Sequence, residues 1–557
     1  MLKFPRVLVY LWIALLAFSF YISARTSYPR ALATEEFAYA CDSFGYLRMA
    51  KQFRHAYERG TWPHFELESP QTRLLINFML QSNHPVTRWD EAIAPHAHHY
   101  APQSGYVIAQ YPPGTGLVLS MFPQGEAVYR LNRLVVWVFV VAGFAALAIA
   151  AWKRAWGSIG LVVLALSLGL MVMGRLGALS FSINAVLVPI VLTCVFSLLA
   201  LRLKTADRNS LALLCALLAG MSLGLATMIR LPSFLFSAGF LVLLWPGFRN
   251  LRIKSLPVVF ALGVTIAGVI PVMINQHKVA GAWYLTTYSR ADAEPPTLNY
   301  VGKNISYFLI NGDGSVDNWA LVAGLFGLIG FLLLYARRDS EQLNRLGLSW
   351  KRFVLAAALP WLLTLCYFLA HRIAAPHYTL SSIFATLTLL GFGAFAIEIT
   401  STVAPRFEPR RIISWVALAL ILWPGAATLN RAWAQRDFGP APERAITHAP
   451  ILLPSELVDE RAWVWADLLT GSLWYYANKP AFKIQFTDEE TRAKIFKFVW
   501  ERGEPQYLIQ DSEQMKVYIA EIEKLGGKLE MRGKVDGQPY FLVVWPSDGP
   551  SNADKRG

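Results

Sequence analysis

Residues 209–228 read NSLALLCALLAGMSLGLATM, and this stretch decides the fold. It carries no charge, and about 20 such residues are what an α-helix needs to cross the hydrocarbon core of a bilayer. Arg208 stands before it and Arg230 just after it. Working outward, blocks of the same kind recur at 7–24, 131–152, 156–174, 181–201, 231–248, 256–275, 319–336, 353–371, 378–398 and 413–429, about eleven spans in all. Composition agrees. The 557 residues are 55% hydrophobic and only 16% charged, against about 25% charged in soluble domains. The expectation is a polytopic α-helical membrane protein with a soluble C-terminal α/β domain.

The basic residues orient the spans. One set of loops carries Lys3 and Arg6; Lys153 and Arg154; Arg202, Lys204 and Arg208; Arg249, Arg252 and Lys254; Arg337, Arg338, Arg345, Lys351 and Arg352; and Arg406, Arg410 and Arg411. The short connections on the other side carry only Arg175, Arg230 and Arg372. Cytoplasmic loops collect Lys and Arg, so the N-terminus is expected inside. This distribution explains the net charge of +14 and makes membrane lipids, not nucleic acid, the expected partner. The expected location is the inner cell membrane. Segment 7–24 lacks a clear small-x-small cleavage site and reads as a retained first helix. Cys41 alone of the four cysteines lies in a polar region, so no exported disulfide pair is expected. The inner loops are short and hold no P-loop and no GxGxxG-plus-acid pattern, which argues against an ATP-driven pump.

Two units follow: a membrane domain, 1–430, with outer loops 25–130 and 276–318, and an exported periplasmic tail, 431–557. Strand and helix alternate along the tail: strands at 461–467, 481–486 and 505–511, helices at 468–478, 488–501 (capped by Thr487) and 512–526, then a hairpin around Asp536-Gly537. That order predicts a small α/β domain.

Loop 25–130 is the richest in chemistry. Phe44, Leu47, Ala50 and Phe53 recur at helical spacing within 37–59, which predicts an amphipathic helix on the outer membrane surface. Asp42 stands at its start. A carboxylate there is either a helix cap or a base beside a lipid-accessible cavity. Tyr111-Pro112-Pro113-Gly114 permits a helix to begin but not to run through it. Arg175, Arg230 and Arg372 sit at outer span ends, placed either to snorkel to head groups or to grip phosphate. His96, His98 and His99, near His84, Asp90 and Glu91, read as a solvated loop or as a divalent-metal site.

These features together resemble the GT-C-type membrane glycosyltransferases, in particular the protein mannosyltransferase-like and aminoarabinose-transferase-like group. Asp42-Ser43-Phe44-Gly45-Tyr46-Leu47 resembles that family's first-loop acidic motif, and Tyr111-Pro112-Pro113-Gly114 its PP segment. Gly224 to Pro232 is similar to a recurrent turn with Arg and Pro, Asn275 to Tyr288 to the opening of the second outer loop, and His377-Tyr378 stands where Arg-Tyr is common. The chain departs from the pattern in having Ser43 where a second acid is usual and His377 where Arg is usual, with Asp90-Glu91 as another acidic pair. The resemblance implies a polyprenyl-phosphate sugar donor and a lipid, protein or glycan acceptor. It implies Asp42 as base in an inverting displacement without a required cofactor, and Tyr46, Tyr111, Pro112, Pro113, Arg175, Arg230, Arg372, His377 and Tyr378 as substrate contacts. A flippase or transporter, or a polymerase or ligase of lipid-linked saccharides, is the alternative reading. Span centres nearly free of charge favour the enzyme over a transporter.

Overall fold

The computed structural model describes residues 40–63, 65–153, 159, 161–163, 165–170, 181–245, 255–288, 295–305, 346, 348–372, 378–399, 453–483 and 487–546. The expected spans 7–24, 319–336 and 413–429 lie outside the described residues. Among those described, six helices are long and apolar enough to cross a membrane. The protein is a helical membrane protein.

The first described helix is α1 (Ala40–Arg59), helical as the spacing predicts. Its Phe44, Leu47 and Ala50 are buried against protein, with Phe44 on Tyr475 and Tyr476 and Ala50 near Gly116, where the expectation laid them on a membrane surface. Loop 25–130 holds more order than its polar composition announced. A short strand β1 (Glu66–Leu67) precedes α2 (Pro70–Gln81), which Ser69 starts by accepting a hydrogen bond from the Thr72 N–H, with Pro70 at the first helical position. Strands β2 (His98–Ala101) and β3 (Tyr106–Ala109) then pair antiparallel, and β1 joins the far edge of β3. Directly after Pro112-Pro113 comes the short α3 (Gly114–Ser120).

The bundle follows: α4 (Ala127–Lys153), α5 (Phe181–Thr205), α6 (Asn209–Ile229), α7 (Phe236–Leu244), α8 (Ser255–Ala280), α9 (Trp350–Leu369) and α10 (Leu380–Ile399). The expected span 231–248 is split, because Pro232 opens a 3-10 turn over Leu231–Leu235 before α7 begins. Two π turns, Thr265–Val269 and Gln276–Ala280, interrupt α8. Helix α10 is buried on nearly every side, its Phe384 stacked on Phe139 of α4 at 5.6 Å between centroids. By contrast α4 exposes Leu134, Trp137, Val141 and Phe144, and α8 exposes Val258, Leu262, Ile266 and Ile270. Large apolar stripes at helical spacing on the outside of a bundle are the faces that lipid covers.

The tail forms a four-stranded sheet in the order β4 (Trp463–Trp465), β5 (Gln506–Ile509), β7 (Gln538–Val544), β6 (Lys528–Val535). Only β4 and β5 run parallel. Helices α11 (Thr470–Tyr476), α12 (Glu489–Glu501) and α13 (Met515–Lys524) alternate with the strands. The expected strand at 481–486 reduces, within its described residues, to a bridge between Phe482 and Trp465. The cap of α12 is Asp488, not Thr487: the Asp488 backbone is extended and its carboxylate reaches the Thr491 N–H at 2.9 Å. The β6–β7 turn is the expected Asp536-Gly537, both at positive φ, as a two-residue hairpin of matching twist requires.

Loop and tail are distant in sequence and joined in space. Leu75, Met79, Trp89, Ile93, Tyr100 and Val107 share one core with Trp463, Trp465, Phe482, Phe496 and Tyr518. Gln71 donates to the Glu460 and Ala462 carbonyls, and Phe78 stacks on Phe498 at 4.2 Å. Replacing Phe498 with Ala removes that stacked pair from the seam. We expect a loss of about 2 kcal/mol in stability, seen as earlier thermal unfolding and faster proteolysis of the tail; unchanged proteolysis would show that this contact does not hold the units together.

Candidate active site

Three sequence segments that are remote along the chain meet around α3. Gly114 lies so close to the end of α6 that a Cβ there would stand 2.5 Å from the Ile229 backbone nitrogen and the Met228 carbonyl carbon. Gly116 faces α1 in the same way, with Met49 Cβ 2.6 Å from an added Cβ. The PP segment is therefore wedged between the helix that carries Asp42 in its first turn and the helix that Arg230 follows. Pro113 occupies the capping position of α3, so the prolines begin the helix without interrupting it.

Tyr46 and Tyr111 join the first two segments directly. Their rings stack at 4.5 Å, and both side chains are buried. The Tyr111 hydroxyl accepts a hydrogen bond from the Gln110 side chain at 2.9 Å. Gly45, next to Tyr46, lets α1 approach Tyr111 and Ala97; a Cβ on it would stand 2.7 Å from that of Ala97. Asp42 lies in the first turn of α1, one turn before Tyr46 and so on the same side of the helix. For Asp42 the structure describes the backbone only.

The segment that follows α8 completes this corner. Thr287 donates to the Gln110 carbonyl at 3.2 Å, and Tyr288 meets the Tyr111 ring edge-on at 6.3 Å. Gly281 takes a left-handed turn with φ +91° against Gln103. Arg230 follows Ile229 in extended conformation, its guanidinium donating to Ser182 Oγ at 3.4 Å at the start of α5. It thus sits at the opposite end of α5 and α6 from Arg202, Lys204 and Arg208.

Other expected site residues fall elsewhere. Arg372 is exposed in the turn after α9, and Tyr378 packs on Phe368 at 5.0 Å. Helix α9 packs against α7, with Gly239 on Ala356 and Pro360, and against the 231–235 turn, so Arg230 and Arg372 leave neighbouring elements. Arg175 and His377 lie outside the described residues. Among the described residues no group of three or more His, Cys, Asp or Glu side chains is gathered to hold a metal ion. His96, His98 and His99 lie instead at the seam with the tail. His96 Nε2 pairs with Asp467 Oδ1 at 2.8 Å, and His98 Nδ1 donates to the His96 carbonyl at 3.0 Å.

The tail also reaches α1. Phe44 meets the rings of Tyr475 and Tyr476 at 6.0 and 5.6 Å, and the Arg48 guanidinium lies 5.4 Å from the centre of the Trp474 ring. These contacts escaped the sequence reading, although Arg48 follows Phe44 by one helical turn and so interrupts an apolar face. Burial pushes the Arg48 guanidinium down to about 10. It also pushes the His98 ring down to about 3, helped by Arg48, His99 and Lys483 nearby, and the His99 ring down to about 4. Burial pushes the Asp511 carboxyl up to about 7, against the pull of hydrogen bonds from the Asp467 and Leu469 N–H groups. Burial would raise Asp467 too, but hydrogen bonds from His96 and Ser512 hold it below the ordinary carboxylate range.

Two outcomes follow from this geometry. Gly114→Val forces backbone apart on the α6 side of α3 and is expected to cost about 1–3 kcal/mol in thermal unfolding of the whole chain; an unaffected midpoint would mean that α3 is free to shift. The second concerns pH. Unfolded, His98 and His99 titrate near 6.5, and folded they titrate near 3 and 4. Below 6.5 the unfolded chain therefore holds more protons, and acid favours unfolding down to about 4. Asp511, at about 7 folded against 3.8 unfolded, works the other way, taking stability away as pH rises between those values. In thermal unfolding against pH, His99→Gln is expected to flatten the acid-side loss and Asp511→Asn to remove the opposing slope. Parallel curves for native and His99→Gln chains would contradict a ring held neutral at the seam.

No family model matches the chain, and no curated protein or solved structure matches it, so what the site does is read from its own residues and geometry.

Proposed function

We propose that the chain transfers a sugar from a polyprenyl-phosphate carrier to an acceptor hydroxyl at the outer face of the inner membrane. What supports this reading is the meeting of three segments, Asp42 to Leu47, Tyr111 to Gly114 and Gly224 to Pro232, at one end of an apolar bundle, with the second outer loop closing over Tyr111. About eleven spans would complete a GT-C-like bundle, with the N-terminus cytoplasmic and the tail periplasmic.

In this mechanism Asp42 takes the proton of the acceptor hydroxyl. The oxygen attacks the anomeric carbon as the bond from that carbon to the phosphate oxygen breaks. Polyprenyl phosphate leaves with the electron pair, and the anomeric centre is inverted. A positioned base matters because an alcohol is a weak nucleophile. The phosphate gains charge as it leaves, and guanidinium groups stabilise developing charge where water is excluded. Arg230, with Arg372 on the neighbouring element and Arg175, would supply it. Tyr46 and Tyr111 offer a rigid aromatic wall beside the reacting sugar. The reaction needs no cofactor. The sugar and the acceptor class (lipid, protein or glycan) are left to the assay.

The test is turnover of a radiolabelled polyprenyl-phosphate sugar by purified protein in detergent. Asp42→Asn is expected to lower the rate by about 100-fold or more while leaving thermal unfolding unchanged. Full activity in that variant would remove Asp42 as base. Movement of the intact lipid-linked sugar across vesicles without cleavage would favour a flippase.

A further inference from the structure

At the seam between the first outer loop and the tail, Arg48 forms no ion pair among the described residues. Arg48 projects from α1 onto the Trp474 ring, and its Nε is buried without a hydrogen-bond partner. His98 is buried as well. Its Nδ1 is committed to the His96 carbonyl, while its Nε2 is buried and unpartnered. The His99 Nδ1 on the adjoining residue is orphaned in the same way. From the tail, the buried Lys483 places its Nζ 3.4 Å from His96 Nδ1.

The carboxylates at this seam are already engaged. Asp467 serves His96, Ser512 Oγ and the charge of Lys483. Asp511 accepts from the backbone N–H groups of Asp467 and Leu469. The charged neighbours that act most strongly on His98 are Arg48, His99 and Lys483, all of them bases. The Trp474 face partly offsets the Arg48 charge, by about 0.5–2 kcal/mol in such pairs. A ring face gives the guanidinium edge no acceptor. A buried donor left without an acceptor, as Arg48 Nε is, on a cation that forms no ion pair among the described residues is costly unless something supplies both an acceptor and negative charge.

We propose that Arg48, His98 and Lys483 form a receptor for an oxyanion of the phosphate-monoester class, set between the first outer loop and the tail. A tetrahedral oxyanion offers acceptors in several directions, matching donors that come from a helix, a strand and the tail at once. When the anion binds, His98 takes up a proton on Nε2 and becomes a donor, so binding strengthens as pH falls. The site lies on the tail-facing side of α1, in contact with Trp474, apart from the Tyr46–Tyr111 stack. It is independent of the proposed transfer reaction. The anion is either free in the periplasm or the head group of a lipid or acceptor.

The experiment measures thermal unfolding of the full chain in phosphate-free detergent, titrated with inorganic phosphate and, separately, with inorganic sulfate, whose charge does not change with pH. A second arm uses nanodiscs of phosphatidylcholine with or without a phosphomonoester lipid. A saturable rise in the midpoint, larger at lower pH with sulfate and reduced at least fivefold in Arg48→Met and in Lys483→Met but kept in part by Arg48→Lys, supports the site. A response to the inorganic ions identifies a free anion, and a response only to the lipid identifies a head group. On the unaltered chain, the stabilising anion should also slow modification of His98 by diethyl pyrocarbonate. No saturable rise in either arm, a rise undiminished in Arg48→Met, or His98 modification at the same rate with and without the anion overturns the proposal.

Discussion

Two glycines on a seven-residue helix fix how α1 sits on the bundle. A Cβ on either glycine would strike the neighbouring helix, so α3 comes close twice, through Gly114 on Met228 and Ile229 and through Gly116 on Met49 and Ala50. Arg230 is the next residue after Ile229, so its position is referred to α3, and through α3 to α1. A packed interior has little slack. The register of α1 against α6 is therefore set by steric contact, and the stacking of Tyr46 on Tyr111 follows from it.

The tail belongs to the same arrangement. It presses Tyr475, Tyr476 and Trp474 onto the helix that begins near Asp42, and its sheet completes a core that α2 and the β1–β3 sheet leave open. The electrostatics of this seam are lopsided. Histidines held neutral by burial keep repulsion low beside Arg48 and Lys483, while Asp467 is held ionised by the groups that surround it.

Much of this was legible in residue pattern. Long apolar runs nearly free of charge announce spans α4, α5, α6, α8, α9 and α10, because the hydrocarbon core favours apolar side chains on a helix. Asp536-Gly537 announces its hairpin, since two successive positive φ values need such residues. The tail's alternation survives, with one strand shrunk to the Phe482 bridge. The pairing of loop with tail was not legible. Trp89, Tyr100 and Leu75 read alone as scattered apolar residues in a polar loop, and nothing local names Trp463 or Phe496 as their partners. The same holds for the histidines. They read locally as a solvated loop sooner than as a metal site, yet His98 and His99 are buried, His96 pairs with Asp467, and His98 Nδ1 donates to the His96 carbonyl. The segments Asp42 to Leu47, Tyr111 to Gly114 and Gly224 to Pro232 could be picked out one by one, and only the glycine approaches brought them to one corner.

The core shared by residues 67–107 and 457–543 imposes an order of assembly. Gln71 and the Glu460 carbonyl it binds are 389 positions apart, and the whole bundle is synthesised between them. The segment 67–107 must therefore wait, with Leu75, Met79 and Trp89 lacking their tail partners, until the last part of the chain has been made. Contacts so remote in sequence form late, and surface left bare in the interval invites aggregation. A holdase, or shelter against the bilayer itself, would meet that need during biogenesis, and early termination of translation would strand a sticky, half-built core.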